Sequence, residues 1–178
     1  EAWPEAIYEL DAPRIVETIK ARRDTLPDLA RQLYENRARK VDVVGTHKRD
    51  LFEVRRLNDD ETLVRIYDTN KEREKEDLFY ERTFHRGETR EIRLYGLQDD
   101  DIFDIDGEVG KGITLRVIGG LGNDVFIDRS RVGGMGKKTI IHDVRSEGNR
   151  VDAGPESRVR ISDDPKYNLY NRLGSDYG

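Results

Sequence analysis

The sequence predicts a mainly β protein that opens with a short helical pair and runs through a β-meander into a short right-handed parallel β-solenoid. Three observations carry this. The hydrophobic period changes from helical to two at Val41. The second half repeats itself with an offset of 23 residues. Glycine (16) far outnumbers proline (5) and crowds that half, which favours turns between short strands. An antiparallel β-sandwich, with the copies as similar hairpins, is the alternative.

The N-terminal segment, residues 1–40, has helical spacing. Asp11 can cap and Pro13 then sits in a first turn, with Ile15 and Ile19 on one face. Asp24 or Thr25 offers a second start, Pro27 a second first turn, and Leu29, Leu33 and Tyr34 an apolar stripe. Arg37, Arg39 and Lys40 suit a helix end, where the macrodipole favours cations. Two helices near 13–22 and 26–39 are expected.

Residues 41–90 are expected to form the meander. Leu51–Leu57 and Thr62–Tyr67 alternate around the polar loop 58–61, which predicts a hairpin. Lys71–Asp77 is a charged loop or one frayed turn, and Leu78–Phe84 resumes as strand before a turn near Gly87.

Residues 91–162 carry the repeats. Glu91–Phe103 overlays Thr114–Phe126, placing Arg93 on Arg116, Gly96 on Gly119, Asp101 on Asp124 and Phe103 on Phe126. A weaker copy runs from Thr139 to Val151, and a fragment of a fourth spans Arg158–Asp163. A period in the low twenties means one supersecondary unit stacked on the next, burying Leu94 on Val117 and Phe103 on Phe126. Residues 163–178 are a linker or strap.

Composition bounds the chemistry. Charged residues make up 39% of the 178 and hydrophobic ones 35%, with a net charge of −5 and both signs mixed in each half. A dedicated nucleic-acid binder needs a net basic face. No 18-residue apolar window exists, so no helical membrane span is expected, and the first five residues show no signal-peptide pattern. The absence of cysteine removes disulfides, thiolate metal sites and thiol nucleophiles. His47, His85 and His142 lack zinc spacing, no serine sits in a nucleophile elbow, and Gly133–Lys138 lacks phosphate-loop spacing. No catalytic constellation is legible.

The strongest motif is Gly119–Ile127, which fits the calcium β-roll nonapeptide GGxGxDxUx at its fixed positions. Gly120, Gly122, Asn123, Asp124 and the stacked Asp101 are therefore candidate calcium ligands, through turn carbonyls and carboxylates. No cofactor is required by any other feature. The bland reading is a turn in which Asn123 and Asp124 hydrogen-bond backbone. The upstream copy has Leu97 and Asp99 at two glycine positions, and the period is longer than two nonapeptides. Six carboxylates fall between Asp99 and Glu108; they suit a divalent cation or a solvated turn that blocks edge pairing. Paired-carboxylate hydrolysis needs two acids across a cleft, which one turn does not supply. Trp3, Tyr8, Tyr167 and Tyr170 flank the ends, as interface anchors or as caps on the core.

Asp42–Thr46, Tyr80–Phe84, Glu88–Leu97, Arg116–Gly120 and the tail Tyr167–Arg172 together resemble the middle region of large envelope proteins of Bacteroidetes-type bacteria. In that family a calcineurin-like metallophosphoesterase precedes such a region and a BamA/TamA-like outer-membrane β-barrel follows it. The resemblance covers roughly residues 10–172, and Thr83–Leu97 is its most specific part. It implies a non-catalytic linking domain on the periplasmic side of the outer membrane, whose partners are the flanking phosphoesterase-like and barrel domains of the same polypeptide. The metal motifs of the phosphoesterase and the strands of a barrel are not in these residues. The alternatives are a calcium-responsive binding module and part of a hydrolase.

Overall fold

A computed structural model describes residues 4–145, 148–155 and 157–171. The chain divides into two compact units, Glu1–Ala38 and Arg39–Gly178.

The first unit is one helix, α1 (Glu5–Ala38), rather than the expected pair, with Pro13 and Pro27 inside it. An interior proline removes one backbone bond and costs about 3 kcal/mol. Ala, Leu, Arg, Glu and Lys on either side favour resuming the helix. The second cap also does not form. The Thr25 hydroxyl donates backward to the Arg22 carbonyl (2.8 Å), and Asp24 accepts from Arg23 (2.7 Å). Neither side chain is left to cap the turn that follows.

The second unit alternates strands between two sheets. One sheet takes β1 (Lys40–Val44), β5 (Glu91–Gln98), β8 (Thr114–Leu121), β11 (Thr139–Asp143) and β13 (Ser157–Ile161), in that order and all parallel. The other takes β12 (Arg150–Ala153), β9 (Val125–Asp128), β6 (Ile102–Asp106) and β2 (Asp50–Arg56) as parallel neighbours. It is extended by β3 (Glu61–Thr69) and β4 (Lys75–His85), both antiparallel. Two short strands, β7 (Glu108–Val109) and β10 (Arg131–Val132), also pair in parallel.

The 23-residue offset is the physical register. Arg93 lies beside Arg116, Leu94 beside Val117 and Phe103 beside Phe126. The copies therefore pair in parallel with each other, and the antiparallel sandwich does not describe them. Thr139 lies beside Leu115 and Arg150 beside Val125, so the third copy is in place. Arg158 lies beside Ile140 in the fourth.

The meander needs redrawing at its start. The hairpin of β2 and β3 forms, and β4 completes an antiparallel trio. But β1 and β2 pair with β5 and β6 at an offset of 51, Lys40 beside Glu91 and Leu51 beside Ile102. Residues 40–56 are thus an unrecognised first copy, and the β3–β4 hairpin is an insertion after it.

The core lies between the sheets. Val43, Ile92, Leu94, Leu115, Val117 and Ile141 from the first meet Phe52, Val54, Phe103, Ile105 and Phe126 from the second. Phe52, Phe103 and Phe126 stack with ring centroids 4.6 and 5.1 Å apart. Alternation explains the burial: in β2, Phe52 and Val54 are buried while Leu51, Glu53 and Arg55 are partly exposed.

Candidate functional site

Three copies turn from the first sheet to the second through a corner with glycine and, five residues later, aspartate: Gly45 and Asp50, Gly96 and Asp101, Gly119 and Asp124. Asp50, Asp101 and Asp124 are fully buried. Their carboxylates point along the stack. Asp101 Oδ1 accepts the Asp50 backbone N–H at 2.8 Å, and Asp124 Oδ1 accepts the Asp101 N–H at 2.8 Å. Asn149 Oδ1 continues the ladder by accepting the Asp124 N–H at 2.8 Å. At the other end Asp50 accepts from the Thr46 hydroxyl at 3.1 Å. Each carboxylate satisfies a backbone donor that a corner would otherwise orphan.

The paired glycine makes room. A methyl on Gly96 would overlap Asp101 Oδ2, and one on Gly119 would overlap Asp124 Oδ2. In the fourth corner Asp143 lies next to Gly119, and the Asn149 amide donates to the Val144 carbonyl at 2.9 Å.

Burial pushes the Asp101 carboxyl up to about 9. The Asp50 N–H opposes this, and the Asp124, Asp50 and Asp99 carboxylates add to the rise. At neutral pH Asp101 is therefore a neutral acid. Its Oδ2 is buried with no hydrogen-bond partner among the described residues. Burial likewise raises Asp50.

An outer ladder runs beside the inner one. Asp100 Oδ1 accepts the Asn123 N–H at 3.0 Å, and Asn123 Oδ1 accepts the Gly148 N–H at 2.9 Å. Arg73 reaches Asp100 at 3.4 Å and Arg49 reaches Asp99 at 3.1 Å. The acidic run is thus largely bound within the fold. Asp104 pairs with Arg55 at 2.6 Å and Arg129 at 2.5 Å.

The remaining motif positions follow the turn. Gly120 (φ +104°) and Gly122 (φ +150°) adopt positive φ, and a methyl on either would overlap the carbonyl of Leu97 or Asp99. Leu97 (φ +83°) and Asp99 (φ +69°), one repeat earlier, take positive φ without being glycine. The turn shape is shared by both copies, and the glycines ease it in the second.

No family model, curated protein or solved structure matches this chain.

Among the described residues, no three His, Cys, Asp or Glu side chains converge as a metal-binding group. The calcium candidates are brought together: Asp101 bonds to Asp124 and sits one position from the Asp100–Asn123 pair, while Gly120 and Gly122 turn the chain beside them. Sequence reasoning missed Gly45, Asp50, Asp143 and Asn149. The signal was the five-residue glycine–aspartate spacing at Gly45, hidden by the 28-residue excess of the first interval over the second.

The aromatic candidates separate. Trp3 lies outside the described residues. Tyr8 is exposed on α1. Tyr167 and Tyr170 lie in and after α2 (Pro165–Asn168), which Asp164 caps by accepting the Lys166 N–H at 3.0 Å. Both pack on the outer side of the first sheet with Tyr95 and Ile118. Tyr170 meets Tyr95 edge-on at 4.8 Å, and Tyr167 stacks on His142 at 6.0 Å. They act as caps on this chain's own sheet. Beneath them, Glu91 accepts from Arg93 (2.8 Å) and Arg116 (2.9 Å), and Arg116 meets His142 at 3.1 Å. Burial, then the Arg116 and Arg160 charges, lowers His142 to about 4.

A further buried network was also invisible in sequence. Arg56 is buried and donates to the Ile113 carbonyl at 2.8 Å and to Ser130 Oγ at 3.3 Å. Asp128 accepts from the Ser130 N–H at 2.9 Å and from the hydroxyls of Ser130 (2.7 Å) and Ser157 (2.5 Å).

Proposed function

We propose that this chain is a non-catalytic linking domain of a larger bacterial envelope protein. Its second unit is a short right-handed parallel β-solenoid that acts as a spacer between a phosphoesterase-like domain and an outer-membrane barrel, on the periplasmic side. The observation that supports this best is the Asp101–Asp124–Asn149 ladder. The corner side chains Asp101, Asp124 and Asn149 are turned inward and bonded to backbone, which makes a stiff stack rather than a reactive cleft. No helix among the described residues is long and apolar enough to cross a membrane.

The test is to isolate the native polypeptide that carries this segment and map it by mass spectrometry in fractionated envelopes. Phosphoesterase sequence before the segment, barrel sequence after it and recovery with outer membranes are expected. A native polypeptide lacking either neighbour would sink the reading. So would phosphoester or glycoside turnover by the purified 178-residue chain, which would favour the hydrolase alternative.

One observation favours a second reading, a calcium-responsive module. Asp101 Oδ2 is buried at the corner beside Gly96, with no hydrogen-bond partner among the described residues. Calcium prefers oxygen ligands and would displace its proton.

A further inference from the structure

We propose that α1 is a self-association helix, through which two copies of this chain pair in antiparallel orientation. The helix has 34 residues, about 51 Å of axis at 1.5 Å per residue. Seven of its apolar or aromatic residues follow a heptad, with Ile7, Leu10, Val16 and Tyr34 off it. Tyr8, Ala12, Ile15, Ile19, Arg22, Leu26, Leu29, Leu33 and Asn36 alternate in steps of four and three, and all but Arg22 and Asn36 are apolar or aromatic. That seam runs through four heptads, the length at which the pattern signifies a coiled coil rather than one turn's coincidence. The side chains on it are in water: Ile19 is 59% exposed, Leu26 59%, Leu29 55% and Leu33 60%. Pro13 and Pro27 each follow a seam position by one residue and lie off the stripe.

Charge selects the occupant and its direction. Within α1, residues 5–20 carry four acidic and two basic side chains, whereas residues 21–38 carry three acidic and four basic. A second α1 running antiparallel sets each acidic half on a basic half, and its macrodipole opposes the first favourably. A parallel copy would stack like on like and put Arg22 against Arg22 in the seam. In the antiparallel register that sets Ile15 against Leu33 of the second copy, Ile19 faces Leu29, and Arg22 lies along Leu26 with its guanidinium free to reach water. Glu9 then flanks Arg37 of the second copy.

Sedimentation velocity on the full 178-residue chain over a wide concentration range tests this. A concentration-dependent monomer–dimer equilibrium that weakens with added salt is expected. Leu26→Glu with Leu29→Glu should raise the dissociation constant by about tenfold or more, while the thermal transition of the β unit stays in place. A parent chain that is monomeric throughout, or a dimer that this double variant leaves unchanged, overturns the proposal. Because the chain has no cysteine, Glu9→Cys and Arg37→Cys report direction. Antiparallel pairing predicts a mixed disulfide when the two variants are combined and little cross-linking of either alone. Efficient self-cross-linking of each alone would overturn the antiparallel assignment.

Discussion

Asp101 is a carboxyl group that the fold holds neutral at pH 7, and this has a measurable consequence. Its folded pKa is raised to about 9 from an ordinary 3.8. Between those values the native state holds a proton that the unfolded chain has released, so this group's contribution to stability falls as pH rises from about 4 to about 9. Asp101→Asn should flatten that slope, measured as urea midpoint against pH. Asparagine is a sound replacement, because Asn149 already occupies the corresponding rung and accepts the Asp124 N–H. Asp101→Ala instead leaves the Asp50 N–H without its acceptor and should cost about 1–3 kcal/mol at all pH values. An unchanged slope in the asparagine variant would show that Asp101 is already ionised at neutral pH. The glycines make the complementary prediction. Gly96→Ala and Gly119→Ala each force a methyl onto a ladder carboxylate and should destabilise by about 1–3 kcal/mol or more. Gly87→Ala, with nothing within 4 Å of its new methyl, should change stability by less than about 0.5 kcal/mol. Equal effects at Gly87 and Gly96 would remove the packing explanation.

At the scale of elements, strand identity was legible where alternation was strong. The β2–β3 hairpin, β4 and the paired β5/β8 and β6/β9 follow directly from period two and the 23-residue repeat. Two things were not. The first copy was hidden because the β3–β4 hairpin separates it from the second, and an insertion destroys a fixed period without disturbing the stacking that the period reflects. The single helix was hidden because proline at a plausible first turn resembles proline in an interior, and only the backward bond of Thr25 tells them apart. The sequence leaves the tail as either linker or strap, because its aromatics show no period. Its order comes from Tyr95 and Ile118, far away in sequence. Tyr167→Ala combined with Tyr170→Ala should therefore destabilise the β unit by roughly 2–4 kcal/mol in denaturant unfolding, from lost apolar burial and ring contacts. No loss would mean that the strap does not dock. The phenylalanine stack belongs to the same scale. Phe103 lies between Phe52 and Phe126, so Phe103→Ala should cost about 3–5 kcal/mol.

For the molecule as a whole, thermal unfolding in excess EDTA and then in millimolar calcium separates spacer from calcium-responsive module. Ligand at 100 times its dissociation constant adds about 2.7 kcal/mol, several degrees in a domain of this size. A linking domain should melt at the same temperature in both. An upward shift in calcium that Asp124→Ala abolishes would promote the calcium reading. The sequence by itself determined the strand-rich class, the repeat register, the Phe103–Phe126 stack and the N-terminal helical content, because these depend on periodicity between near neighbours. Only the tertiary structure decided that Gly45 and Asp50 begin the ladder, that the acidic run is largely bound internally, and that Tyr167 and Tyr170 cover the chain's own sheet. Those outcomes depend on which residues meet across separations from 23 to more than 50 positions. The free energy of such meetings is set by desolvation and hydrogen bonding at the point of contact, quantities that spacing along the chain does not encode.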